Sequence, residues 1–308
     1  MKKYEFTDET KKIHNVVLHR KGSVINIGDV ILHRIKAVKA FNDVKKGTLG
    51  GFIEKEDNLS HEGNAWVYNN ACVYGDACVG GNARIFWDAC ISDNAQIYGD
   101  AQIYGNAKIF GNAQISGDAQ VYGDAQVYGN AKVFEDAQVA NNAMIFDNAE
   151  VSDDALVFGN AKVFNNARIF DNAHIFENAR VYGNAEIFNN AQIFGVVRVA
   201  GDALVAGNAE ICGEARILGL AKICKNARIS NDTNYMIIGP IGSRCGTTTF
   251  FKNANNKIFV SCGCFLGSLE KFRKEVEKVH GVNTKYAKVY QAAADLAEIQ
   301  ILCKEAEE

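Results

Sequence analysis

Proline is almost missing: Pro240 is the single one in the chain. Proline removes a backbone donor, so its scarcity fits a chain whose N–H groups are needed nearly everywhere, as in continuous ladders. Cysteine is present but unpatterned, with nine residues, an odd number, and no CxxC pair. That speaks against a secreted disulfide framework and predicts reduced thiols. Cys262 and Cys264 are spaced for alternate faces of a strand rather than for zinc, so no metal site is expected. A dominant charge is also lacking. The net charge of −3 gives no global pull towards nucleic acid or an anionic membrane, and neither is an expected partner. No apolar run reaches the ~18 residues that a membrane-spanning helix needs. The start, MKKYEFTDETKK, has no apolar core of a secretory signal. A cytoplasmic protein is expected.

What is present is a period. Every sixth residue from Val67 to Ile229 is Val or Ile, 28 sites in all. Two residues before each, from Ala65 to Ala227, 27 of the 28 are Ala, and the exception is Val197. No insertion breaks the frame. Apolar residues at helical spacings of three and four are absent, and Gly, Asn and Asp every six residues would destabilise a helix. Within a unit, Ala-x-Ile alternates as a strand does, so Ala and Ile share a face. The following Gly-Asn or Gly-Asp is turn chemistry. Three such units close a triangular coil. The pattern predicts a mainly β fold, the hexapeptide-repeat left-handed parallel β-helix, over residues 61–230. Its about nine coils make a prism roughly 45 Å long at about 4.8 Å per coil.

The outward residues are equally regular. The position after each Ile or Val is often aromatic, and residues 18 apart should stack: Phe110, Tyr128, Phe146, Phe164 and Tyr182 form one ladder, Phe158, Phe176 and Phe194 another. Such ladders stabilise the stack, offer a self-association surface, or both. The position before each Ile or Val also points out. Glu150, Arg168 and Glu186 alternate in sign, whereas Lys162, Arg180, Arg198 and Arg216 form a like-charged column. That column is either screened by corner carboxylates and water or is an anion-binding strip.

Residues 1–60 lack the frame. IHNVVLHR and VILHRIKAVKAF read as strands around the turn KGSVINIGD, a β cap over an otherwise open solenoid end. After Ser230 the period stops, and residues 231–308 read as a small α+β module. YMIIGPIGSRCGTTTFFKNANNKIFVSCGCF suggests three strands. A helix follows with Ser268 as N-cap and Gly281 at its end, its apolar face Leu269, Phe272, Val276 and Val279. A second helix opens at Thr284 and should bury Tyr286, Val289, Tyr290, Ala293, Leu296 and Ile299.

The stretch AVKAFNDVKKGTLGGFIEKEDNLSHEGNAWVYNNA, residues 37–71, resembles the leading segment of a family of bacterial and phage hexapeptide-repeat proteins of transferase or polymer-forming type. The C-terminal phrase GPIGSR…TTF then CGCF resembles a module attached to repeat proteins of phage and prophage genomes. The first resemblance covers the cap and the solenoid, the second the module. Together they imply the fold and leave the chemistry open. The amount of outward aromatic surface predicts a homo-oligomer, and the resemblance to other hexapeptide proteins implies a trimer.

Two places could carry chemistry. GPIGSRCGTTT, residues 239–249, gathers glycines, hydroxyls and a guanidinium. Gly242, Ser243, Arg244, Thr247 and Thr248 are the candidate binding residues for a small anionic, nucleotide-like ligand, against the plainer reading of a Gly-rich turn. It is not a Walker motif, and no cofactor motif occurs elsewhere. The histidines are His14, His19, His33, His61, His174 and His280. Hexapeptide acyltransferases generally use a histidine near a subunit cleft. His174 lies between Ala173 and Ile175, but the unbroken frame lacks the loops that usually build an acceptor site. The expectation is therefore a non-enzymatic binding or scaffold protein, in a phage setting a counter-defence sequestering protein. An acyl-CoA-dependent acyltransferase and a structural polymer-forming element are the alternatives, and no catalytic residue is assigned.

Overall fold

The computed structural model describes residues 2–20 and 23–302, with side chains described for all of these except 18–20 and 23–25. The chain is a parallel β-solenoid carrying a terminal antiparallel sheet and two helices. It divides into two compact units, Met1–Phe170 and Asp171–Glu308.

The first unit opens with two long strands, β1 (Tyr4–Arg20) and β2 (Ser23–Ala37), paired antiparallel, followed by β3 (Leu49–Ile53). β3 lies parallel to the solenoid strand Cys72–Val73 and so joins the cap to one solenoid sheet. From β4 (Trp66–Val67) to β21 (Arg168–Ile169) every strand is two residues long. Strands 18 residues apart pair in register, as Gln126 with Met144 and Val127 with Ile145, giving three parallel sheets. The frame explains itself physically. Ala and Ile or Val at the repeat positions have essentially no exposure, whereas the residue between them faces outward. Each corner holds one residue in the left-handed region, mostly Gly, Asn or Asp, the types that tolerate it. At Gly123 (φ 72°) a Cβ would come within 2.9 Å of Asn141 N in the next coil. The next residue is often Asn because its amide bridges coils: Asn94 donates to Asn112 (3.0 Å), Asn112 to Asn130 (2.9 Å) and Asn130 to Asn148 (3.0 Å). The aromatic ladder stacks through Phe110, Tyr128, Phe146 and Phe164 at 4.7–5.0 Å with nearly parallel rings.

The open end of the first coil is plugged. Lys3 donates to Ala65 O (2.8 Å), its Nζ lying 5.2 Å from the Phe41 ring, and Tyr4 donates to Leu59 O (2.9 Å). Trp66 is fully buried beneath them.

The second unit continues the six-residue frame from β22 (His174–Ile175) to β31 (Arg228–Ile229). The antiparallel sheet then runs β32 (Tyr235–Ile241), β33 (Gly246–Lys252), β34 (Ile258–Cys262) and β35 (Phe265–Ser268). The sequence suggests three strands here; Gly263 at φ 58° makes CGCF a tight turn, and the fourth strand follows it. Helices α1 (Leu269–His280) and α2 (Lys285–Leu302) cover one face over Phe250, Ile258 and Val260. Ser268 caps α1 by accepting from Lys271 N, and Gly281 ends it at φ 79°. The predicted apolar faces hold only in part. Val279, Leu296 and Ile299 are 63, 50 and 61% exposed, and Tyr286 is exposed too. α2 instead buries Ala287, Tyr290, Ala293, Ala294, Ala297 and Ile301. Its small alanines let a single neighbouring helix and one sheet approach closely, so a narrower stripe suffices than the sequence pattern suggests.

The other face of this sheet covers the last solenoid coil. Thr249 accepts from Lys222 N (3.0 Å), and Ala254 N donates to Asn226 O (2.9 Å). The module therefore closes the open end of the last coil.

Candidate functional site

The Gly-rich stretch of the module forms the β32–β33 hairpin. Gly242 (φ 75°) and Cys245 (φ 48°) take left-handed conformations, and Cys245 N donates to Gly242 O (3.3 Å). Ser243 and Arg244 stand exposed on the turn, and Thr247 is half-buried. Thr248 is not with them. It points inward, fully buried, with its hydroxyl 3.1 Å from Cys262 Sγ. The strand alternation that places Thr249 towards the last coil turns Thr248 towards the helices. The five predicted residues thus do not converge on one surface. The sequence gives no sign of what lies under the turn: Tyr290 of α2, whose hydroxyl occupies the space a Gly242 Cβ would need. Burial pushes the Tyr290 hydroxyl up to about 12, with Cys262 adding to the shift and Arg244 opposing it. The His280 ring stacks on Tyr290 at 5.6 Å.

The cation column is less uniform than its spacing implies. Arg180, Arg198 and Arg216 pair in register and are exposed. Arg216, however, is held by Asp232 through Nε (2.8 Å) and Nη2 (2.7 Å). Lys162 belongs to the first unit, where it lies beside Met144 and is half-buried. The column is therefore not four equivalent free cations.

Among the histidines, His174 pairs in register with Gln192 on a solenoid wall. His61 lies under the cap, its ring 4.4 Å from Tyr4 and its pKa lowered chiefly by burial. His33 packs on Phe6. The side chain of His19 lies outside the described residues, as does Cys303; the other eight cysteines are free thiols. His14 differs from all of these. Between the pairs Ile13–Val30 and Val16–Gly28, β1 carries two residues, His14 and Asn15, opposite the single Asp29. This is a β-bulge, a device that re-aims a side chain and is common beside active sites. Asn15 sits at φ 51° and Gly28 at φ 80°. The Asp29 carboxylate faces the bulge. Its Oδ1 lies 3.3 Å from His14 Nδ1 and accepts from Asn15 N (3.2 Å); its Oδ2 is 2.7 Å from Lys12 Nζ. The hydrogen bond from Lys12, then that from Asn15 N, holds the Asp29 carboxyl below its ordinary value. With Nδ1 turned to Asp29, Nε2 is the ring nitrogen that faces away from the carboxylate. Val17, Ile27 and Ile31 leave apolar surface open nearby on the same hairpin. Sequence reasoning reads residues 21–29 as a turn, whereas β2 already begins at Ser23; Asp29 therefore lies on a strand, and the pairing of that strand with β1 brings His14 to it.

Residues 101–117 and 113–129 match the model of the YdcK β-solenoid repeat. The chain is a hexapeptide-repeat β-solenoid protein. Over 86 residues, 28% of its length, it is 37% identical to a curated relative, the "Uncharacterized acetyltransferase YdcK" of Escherichia coli K12. The matched stretch spans about a quarter, 24%, of that relative. A solved structure from Bacillus cereus, of a candidate acetyltransferase that is the product of the BC4754 gene, aligns over 70% of this chain and 92% of its own at 16% identity and a TM-score of 0.20. A score that low carries no argument here. The name of the curated relative overturns the non-enzymatic binding role expected from the sequence, and neither comparison lends support to a phage setting or a counter-defence task.

Proposed function

We propose that this protein is a hexapeptide-repeat acyltransferase that moves an acyl group from a coenzyme A or acyl-carrier thioester to an amine or hydroxyl acceptor, with His14 as general base. The observation that carries the reading is the 37% identity to a relative named as an acetyltransferase. The bulge geometry supports the assignment of the base. Asp29 fixes the imidazole and stabilises the imidazolium that forms; Lys12 in turn fixes Asp29. The steps balance simply. His14 Nε2 takes the acceptor's proton as its nitrogen or oxygen attacks the thioester carbonyl. The tetrahedral intermediate collapses, the C–S bond breaks, and the imidazolium returns the proton to the leaving thiolate. The β1–β2 hairpin supplies an element outside the solenoid frame, which the uninterrupted repeat lacks.

The test is thiol release from acetyl-, succinyl- and malonyl-coenzyme A in the presence of amines, amino sugars and alcohols. His14→Gln should lower kcat by roughly a hundredfold or more, the usual weight of a positioned base, with an unchanged melting temperature. Asp29→Asn should lower it less. Turnover unaffected by His14→Gln moves the base elsewhere, and no turnover with any thioester ends the acyltransferase reading.

A further inference from the structure

A cavity of about 230 Å³ lies where the antiparallel sheet meets the last solenoid coil, lined by Lys225, Asn226, Phe251, Asn253, Asn255 and Phe259. It lies in the second unit and does not depend on the acyl-transfer reading. Its walls come from two rings. Phe251 and Phe259 are directly opposed across β33 and β34, on the sheet face turned away from the helices. Their centroids are 6.3 Å apart and their planes 35° apart, so the two rings lie against each other and Phe259 presents the accessible face. Phe251 has no exposure and forms the floor.

The polar groups at the cavity are an ammonium and the amides of Asn226, Asn253 and Asn255. Lys225 occupies a solenoid corner at φ 60°, where most units carry Gly, Asn or Asp, and its Nζ stands 5.6 Å from the Phe259 ring centroid. Asn253 Oδ1 is already taken by Asn255 N (3.0 Å) and Lys257 N (2.8 Å), which leaves its Nδ2 as the free end. Asn226 Oδ1 accepts from Asn208 Nδ2 (3.3 Å), again leaving an amide donor. No acidic residue lines the cavity. Aromatic walls, an ammonium and amide donors without any carboxylate describe a receptor for a flat apolar body carrying one anionic group. The volume lies below the ~300–1,000 Å³ of pockets for drug-sized ligands, too small for a nucleotide.

We propose that this cavity binds a small aromatic carboxylate, its ring against the Phe259 ring and its carboxylate at Lys225. The probe is 4-fluorobenzoate, followed by fluorine NMR on the full chain. It should bind saturably. 4-Fluorobenzyl alcohol, with the same ring and no charge, should bind about tenfold more weakly or worse, the weight of one charge-assisted hydrogen bond. Lys225→Gln, at an exposed corner, should weaken the benzoate by a similar factor and leave the melting temperature unchanged. Phe259→Leu should weaken both ligands. The proposal fails if the benzoate does not bind, if the alcohol binds as well, or if Lys225→Gln binds as wild type. Displacement by equimolar inorganic phosphate would make it a plain anion site and overturn the aromatic assignment.

Discussion

Ile145→Ala tests the register of the solenoid where it is most constrained. Ile145 has no exposure and pairs with Val127 and Val163 in the coils before and after it. Tyr128 N donates to Ile145 O (3.0 Å), and Phe146 N donates to Val163 O (3.0 Å). These ladders hold the strand at fixed height on both sides, so the backbone has little freedom to fall into the void. Three carbons removed from a dry interior cost about 2.4 kcal/mol in transfer, and a largely uncollapsed cavity adds ~1–2 kcal/mol. The expected loss is roughly 3–4 kcal/mol, in the middle of the range for such truncations. Met144→Ala, on the outer side of the same strand, should cost about 1 kcal/mol or less. Urea unfolding followed by circular dichroism measures both. A solenoid loses stability through nearest-neighbour interfaces, so amide exchange across residues 127–163 should show the damage centred on the mutated coil. Equal costs for the two variants would refute the inward–outward assignment on which the whole frame rests.

Three further outcomes are expected. Burial pulls the Lys3 ammonium down to about 8 from an ordinary 10.5. Between those values the unfolded chain binds a proton that the folded chain has released, so stability should rise as pH rises through this window, and Lys3→Met should flatten the rise in a thermal denaturation series. Asp29 has a depressed pKa, so what it contributes to the hairpin is present above the unfolded value and is lost only as pH falls through the lower folded one. A carboxyl titration by NMR should place its midpoint under 3.8, and a midpoint at or above 3.8 would contradict the pairing with Lys12. Gly242→Ala would put a Cβ against the Tyr290 ring and strain a φ of 75°, so it should lower module stability by about 1–3 kcal/mol in chemical denaturation; an unchanged midpoint would mean that Tyr290 does not fill that space.

The repeat was legible because each of its positions obeys one local rule. Ala and Ile or Val go inside, a corner residue tolerates φ above zero, and the period of six carries the rule from coil to coil. Elements that depend on long-range placement were not legible in this way. Lys3 reads as an ordinary charged residue near a chain start, yet it lies buried over Ala65 because the first coil has an open end to plug. Thr248 and Thr249 look alike in sequence, and only the strand's alternation separates a hydroxyl against Cys262 from one that accepts from Lys222 N. Leu296 and Ile299 fit a helical stripe, but α2 meets its neighbours through alanines, so the stripe turns away from them.

The candidate site shows the same divide most sharply. An uninterrupted frame argues against an acceptor site only if the site must interrupt the frame. His14 and Asp29 lie outside it, His14 on a strand the alternation predicts and Asp29 in a segment that reads as a turn but belongs to β2, and a strict pairing of those strands would not hold three residues against one carboxylate. The extra residue of the bulge places both His14 and Asn15 opposite Asp29, so that the carboxylate takes Asn15 N–H and Lys12 while it meets the imidazole. A change that restores regular pairing should therefore scatter the dyad without touching either member. Deleting Asn15 does this: it removes the bulge and turns the residues before it to the opposite face relative to β2. Acyl transfer in the deletion variant should fall as far as in His14→Gln; because Ile13, Val16 and Val30 pack with Phe52 and Cys72, stability falls too, and turnover is compared at a temperature where circular dichroism shows both variants folded. Retained turnover in a folded deletion variant would show that His14 and Asp29 do not act as a pair.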